Sequence, residues 1–281
     1  MAIGDATRIN TNIAAYNSLA ALKTVNRDLE KRQLKLATGA RINEVADDPA
    51  GFVISRRLGA RSRGLSTAMD NVGTTKNVLA IAEGGLINVS DILIRMKELA
   101  TQAANDTMGS AERNAIKSEM DQLTSEIDDI VKETTYNNNK LLDGTFTGRS
   151  FQTGEETTAT LRFNLQNDNR ATGLRIDRPN VSDHLFTATG CSIALNNINV
   201  ALEQVSDSLQ TIGSISSRLT IKESTLRIAI TNTDAAKSRI LDADIAFEQL
   251  QSTRLQILQQ TATAQLAQAN VAPQNVLALF R

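Results

Sequence analysis

The chain has 281 residues, enough for one large or two modest domains, and a hydrophobic share of 41% excludes disorder throughout. A net charge of −1 gives no reason to expect nucleic acid or an anionic membrane, and the lone Cys191 excludes an internal disulfide and a cysteine zinc site. With 3% aromatic residues, no Trp and three Pro, the interior must be built from Leu, Ile, Val and Ala in long helices with few interruptions.

The opening segment MAIGDATRINTNIAAYNSLAAL has neither a basic stretch nor a continuous apolar run, so it does not read as a cleavable Sec-type signal. No run approaches the length that spans a bilayer, and no membrane insertion is expected. Ala15, Leu19, Leu22, Asn26, Leu29, Gln33 and Leu36 follow a heptad step, with polar residues at alternate seam positions. In VADDPAG the paired carboxylates Asp47 and Asp48 precede Pro49, which fits a turn and a capped helix start better than an acid–base pair. Arg56, Arg57, Arg61 and Arg63 lack interleaved aromatics and read as a solvated or subunit-facing helix rather than a nucleic-acid patch.

From Leu65 the series Leu65, Ala68, Val72, Thr75, Leu79, Ala82, Leu86, Val89, Leu93, Met96, Ala100 and Ala103 advances by alternate threes and fours. This predicts a long helix with a heptad seam, and the flanking line Val78, Ile92 and Leu99 widens the face to suit three or more helices. A shorter helix carries Ile116, Met120, Leu123, Ile127 and Ile130; TTYNNNKLLDGTF then breaks the pattern with turn chemistry. Ala159, Leu161, Phe163 and Leu165 alternate with polar residues, predicting a β-hairpin near 148–177, and GLRIDRPNVSDHLFTATG reads as loop. The heptad step returns at Ile198, Leu202, Val205, Leu209, Ile212, Ser216, Leu219, Glu223, Leu226 and Ile230. The last segment, rich in Gln, Ala and Thr, ends in the apolar VAPQNVLALFR.

The expected fold is therefore mainly α: a long-helix bundle and coiled coil made by the N- and C-terminal regions, with a small central β-hairpin. Neither end buries enough apolar surface to be stable alone, so both are expected to fold against something else.

No phosphate-loop, dinucleotide, HExxH or nucleophile-elbow pattern occurs, and the single His184 has no metal or nucleophile partner placed by motif. No enzyme, cofactor or metal site is expected.

TRINTNIAAYNSLAAL followed by LATGARINEVADDPAGFVISRRLGARSRGLSTAMDN, with SDILIRMKELATQAAND and DQLTSEIDDIVKETTYNNNKLLDG, resembles the N-terminal region of bacterial flagellins. SRILDADIAFEQLQSTRLQILQQTATAQLAQANVAPQNVLALFR resembles the flagellin C-terminus. Thr38 and Gly39 stand in the family's usual SSG, and Pro49 replaces an alanine of DDAAG. The resemblance implies a terminal coiled-coil domain of residues 1–45 and 238–281, forming the inner tube of a filament and disordered in the monomer, and a helical core domain of 46–237; the middle is too short for the bulky outer domains of larger flagellins.

The resemblance implies a structural subunit of an extracellular flagellar filament, a homo-polymer used for swimming and exported by the flagellum's own type III machinery. The implied partners are an export chaperone on the C-terminal segment, the filament cap and hook–filament junction proteins. The expected assembly residues are Ile9, Ile13, Leu19, Leu22, Leu29, Leu36, Leu255, Leu258, Leu266, Val276, Leu277, Leu279 and Phe280. The resemblance also suggests Arg95, Leu99 and Glu126 as contacts for Toll-like receptor 5, although Ile94 and Lys97 depart from the receptor-binding pattern. Thr153, Thr157, Thr158, Ser182 and Thr187 are candidate O-glycan acceptors by residue type and loop position. The alternatives are a hook–filament junction protein of the same superfamily and a secreted receptor-binding protein.

Overall fold

The computed structural model describes residues 11–278 apart from Gln166, with the backbone alone for Ala188 and 272–278. Ile9, Leu279 and Phe280, and the side chains of Val276 and Leu277, lie outside the described residues. In chain order the elements are α1 (Ile13–Thr38), α2 (Pro49–Ala103), α3 (Ser110–Glu133), β1 (Thr135–Tyr136), β2 (Asn139–Lys140), β3 (Arg149–Gln152), β4 (Thr160–Phe163), a 3-10 turn (Ser182–His184), α4 (Ala188–Leu241) and α5 (Ile245–Ala278).

The chain divides into two compact units. One comprises Met1–Ala60 with Asn232–Arg281, the other Arg61–Thr231. The division falls inside α2 and α4, at the point along each helix where its apolar seam gives out, rather than at residues 45 and 238.

The Arg61–Thr231 unit holds a continuous apolar core. Every position of the α2 seam from Leu65 to Ala103 is buried, and Leu86, Val89, Leu93 and Met96 are wholly inaccessible. Ile116, Met120, Ile127 and Val131 of α3 complete one side of the core. The seam of α4 differs from expectation. It runs through Ala194, Ile198, Ala201, Val205, Ser208, Ile212, Ile215 and Leu219, leaving Leu202, Leu209 and Ser216 half-buried on its flank. Small residues occupy alternate seam positions, so the larger leucines beside them mislead a reading by hydrophobicity.

An 18-residue window of α2 has mean hydropathy 1.4, apolar enough by length and composition to cross a membrane, contrary to the reading above. Its apolar residues divide between two faces: Leu79, Ala82, Leu86, Val89 and Leu93 line the protein core, while Ile81, Ile87 and Ile94 are exposed.

β3 and β4 pair antiparallel with Phe151 opposite Leu161, within the predicted hairpin. Phe151 stacks on Phe163 with centroids 5.0 Å apart, and Phe146 lies 5.8 Å from Phe163. A second, very short hairpin joins β1 to β2. Its central Asn137 and Asn138 have φ of 47° and 64°, the left-handed pair that a two-residue type I′ turn needs. The stretch read as loop, 173–190, is more ordered than expected, since Leu174, Ile176, Val181 and Leu185 are all buried. Polar clamps hold it. Arg113, itself buried, donates to the Phe186 carbonyl at 2.9 Å, Lys117 pairs with Asp183, and Arg178 pairs with Asp121 at 3.0 Å.

At the start of α2, Asp48 Oδ1 accepts from the Gly51 N–H at 2.9 Å. Asp47 Oδ2 accepts from the Asn43 and Glu44 N–H groups at 3.1 and 3.2 Å, which holds its carboxyl below the usual range. The two carboxylates organise a turn and a helix start.

Candidate assembly interface

In the unit of both termini, α1 and α5 pack antiparallel. Asn12 caps α1 through Ala15 N–H and donates its side-chain amide to the Ala269 carbonyl at 2.7 Å. Further along, Gln259 donates to Asn26 Oδ1 at 2.8 Å, and Arg32 meets Glu248 at 2.8 Å. Asp244 caps α5 by accepting from Phe247 N–H at 3.1 Å. Gly39, at φ 68°, ends α1 in the left-handed conformation that glycine adopts without strain.

The facing positions of α1 are Ala15, Ser18, Leu22, Val25, Leu29, Arg32 and Leu36; those of α5 are Glu248, Ser252, Leu255, Gln259, Ala262, Leu266 and Ala269. This seam is narrow and partly polar. Among the described residues of the unit, Leu29 and Ile42 are the buried hydrophobics.

Large apolar side chains stand instead on the outside. Tyr16 is 68% exposed, Leu250 63%, Ile257 58% and Phe247 54%, and Ile13, Leu19, Leu34, Val53, Ile54, Leu258 and Val271 are exposed with them. An open groove between the helices is lined on one side by Ala21, Val25, Leu258 and Ala262, and a polar one by Asn26, Gln33, Gln256 and Gln259. These outward apolar side chains on a thinly packed helix pair make this unit the candidate interaction surface.

Of the expected assembly residues, Ile13, Leu19 and Leu258 are on the outside. Leu22, Leu36, Leu255 and Leu266 are half-buried and Leu29 is buried, all in the intramolecular seam. Tyr16, Leu34, Phe247, Leu250 and Ile257, outside the expected set, are exposed as well. They fall off the heptad seam, and that position is itself the signal: an apolar residue away from the seam of a helix pair has no partner within the chain.

The other candidate sites disperse. Arg95 and Glu126 are exposed, and Arg95 pairs with Glu98 at 3.1 Å and Glu119 at 3.0 Å, which raises its guanidinium pKa. Leu99 is a core residue at 2% exposure, because α3 and α4 widen the buried face of α2 to include it. The three do not form one accessible receptor face. Thr153 and Ser182 are buried, and Thr153 donates to the Ala159 carbonyl, so neither hydroxyl is presented to a glycosylating enzyme. Thr157, Thr158 and Thr187 are exposed, and the Thr187 hydroxyl accepts from the Gly190 N–H at the start of α4.

Two family models match this chain. The bacterial flagellin N-terminal helical region covers residues 9–147, and the bacterial flagellin C-terminal helical region covers 195–280. The chain belongs to the bacterial flagellin family. It is a short-form flagellin, a structural subunit of the flagellar filament. A flagellin of Halalkalibacterium halodurans is 36% identical over 97% of this chain and 99% of its own length. A flagellin of Bacillus subtilis is 35% identical over 98% and 100%, and the flagellar filament 41 kDa core protein of Borreliella burgdorferi 31% over 97% and 99%. Among solved structures, a flagellar hook-associated protein of Vibrio parahaemolyticus shares the fold at TM-score 0.60 and 15% identity, over 70% of this chain and all of that one. The residues between the two flagellin matches include β3, β4 and the 3-10 turn.

Proposed function

We propose that this flagellin polymerises through the unit of α1 and α5, and that its terminal helices become fully stable only as neighbouring subunits cover them. The observation that carries this is the outward display of Tyr16, Phe247, Leu250 and Ile257 on a unit with almost no buried hydrophobics of its own. A helical filament needs a heterologous interface that repeats without closing, and different faces of the helix pair supply it. The ordering cost of each end, about 1–2 kcal/mol per residue in backbone entropy, is poorly met by a seam of half-buried Leu and Ala. Coupling folding to assembly also keeps the chain from polymerising before export, when a chaperone would cover the C-terminal helix. The cap and junction proteins would meet the same apolar surface at the two ends of the filament.

The test is salt-induced polymerisation followed by electron microscopy. Leu250→Glu with Ile257→Glu should abolish filaments while the thermal transition of the helical core stays in place. Normal filaments from that variant would overturn the proposal.

A further inference from the structure

We propose that a second copy of this chain docks on the Arg61–Thr231 unit, laying the outer face of its α2 against a groove between α4 and the β3–β4 hairpin. The proposal rests on the reading of the chain as a self-polymerising subunit, and it adds to the contacts of α1 and α5 a further one made by other residues.

Charge is segregated along both helices. From Asn77 to Ile94, α2 has no basic residue and carries Glu83 and Asp91, both exposed. On α4 the sign is reversed: from Ser208 to Lys222 there is no acidic residue, and the stretch carries Arg218 and Lys222. Among the described residues no carboxylate pairs with Arg218 or Lys222, and no cation pairs with Glu83 or Asp91. The adjacent Glu223 is already engaged by Lys76 at 3.0 Å and Arg227 at 3.3 Å.

Both charged stretches are interleaved with exposed isoleucines. Glu83, Ile87, Asp91 and Ile94 advance by four, four and three along one outer side of α2, away from its buried seam. Arg218, Ile221, Thr225 and Ile228 advance by three, four and three along α4. Ile87 and Ile94 are 46% and 48% exposed, Ile221 and Ile228 66% and 59%. The groove is lined by Thr160 and Leu161 of the hairpin and by Arg218, Ile221, Lys222 and Thr225 of α4.

Apolar side chains ringed by unpaired charge of one sign fit a partner with similar apolar spacing and the opposite sign. The α2 face has both properties. It can meet the groove only in another copy, because within the chain α2 and α4 turn their seams to one shared core and leave these sides outward. Like faces do not substitute: α2 on α2 brings carboxylates together, and α4 on α4 brings cations together. A copy that lays its α2 face on one neighbour and offers its groove to another makes the heterologous contact that an open helical polymer repeats.

The test is seeded polymerisation of the full chain at an ionic strength of about 0.1 M, where exposed charges still act over about 10 Å. Sedimentation gives the critical concentration and circular dichroism the core melt. Arg218→Glu/Lys222→Glu makes the groove acidic, and Glu83→Lys/Asp91→Lys makes the α2 face basic. Each double variant alone should raise the critical concentration at least about tenfold with the core melt in place. An equimolar mixture should return toward the wild-type value, since each variant's α2 face then meets the other's groove, and the chain with all four substitutions should do so alone. The milder Arg218→Gln/Lys222→Gln and Ile221→Ala, which leave the core untouched, should each raise it about threefold.

Wild-type critical concentrations in both charge-reversed variants, or in both milder ones, would overturn the proposal. So would a mixture and a four-substitution chain that stay as poor as the separate variants, which would mark the groove as a site for another acidic partner or a free anion. The terminal-helix reading fails separately. Normal filaments from Leu250→Glu with Ile257→Glu, beside the charge effects described, would overturn that reading and leave this contact standing.

Discussion

Folding and assembly separate by residue, and the contrast between Leu93→Ala and Ile257→Ala measures the separation. Leu93 is wholly buried in the α2 seam, so truncating it removes core contacts and leaves a cavity. That costs about 2–5 kcal/mol of core stability. Ile257 is 58% exposed, and the same truncation in the free chain should change stability by no more than about 0.5 kcal/mol. In the polymer the balance reverses. Full burial of an isoleucine side chain is worth about 1.5–3 kcal/mol, so covering the exposed share of Ile257 contributes about 1–2 kcal/mol per subunit. At 1.4 kcal/mol per tenfold, Ile257→Ala should raise the critical concentration for polymerisation about tenfold. Circular dichroism melts of the monomer and sedimentation of salted-out polymer give the two numbers. A monomer melt lowered as much by Ile257→Ala as by Leu93→Ala, or an unmoved critical concentration, would refute this separation.

Three further outcomes are expected. Phe163→Ala, which opens the cluster with Phe146 and Phe151, should destabilise the hairpin region by about 3–5 kcal/mol, read as faster hydrogen exchange across β3 and β4. Asp47 titrates below an ordinary carboxylate because Asn43 and Glu44 N–H groups bond its charged form, so its contribution is present above about pH 4 and is lost as pH falls through the depressed folded value. It is solvent-exposed and the effect is small; Asp47→Asn should remove that acid dependence from denaturant midpoints measured across the range. Peptide mapping of any glycosylated chain should find Thr157, Thr158 or Thr187 modified and never Thr153 or Ser182; a glycan on either buried hydroxyl in folded protein would refute their placement.

The α2 helix was legible residue by residue, because Leu, Val and Ala at steps of three and four leave few other faces to bury. The caps at Asp48 and the hairpin around Phe163 were legible for similar local reasons. The seam of α4 was half legible: Ala201 and Ser208 are buried seam positions, and small residues carry little hydrophobic signal. The ordered stretch after Gly173 was illegible because its four buried apolar residues follow no period and the stretch is held by Arg113, Lys117 and Asp121 of α3. At the candidate interface, the polar partners Arg32–Glu248 and Asn26–Gln259 are separated by 216 and 233 residues, and no local pattern pairs them.

The two units solve opposite problems with the same kind of helix. In the Arg61–Thr231 unit a wide face lets α2, α3 and α4 share one core, so a large share of each helix is covered within the chain. The 26 residues of α1 and the 34 of α5 have one another and a seam that mixes Leu with Ala, Ser, Gln, Glu and Arg. A richer seam would make this pair self-sufficient, and its outer apolar side chains would then tend to drive indiscriminate aggregation of a stable rod. A poorer one would give neighbours no defined surface to cover. On the proposed reading, weak apolar burial leaves assembly to supply the missing stability, while the backbone bridge at the base and the polar contacts along the helices hold the pair in one geometry. That division places stability in the polymer and geometry in the subunit, as an open helical filament built from identical copies requires.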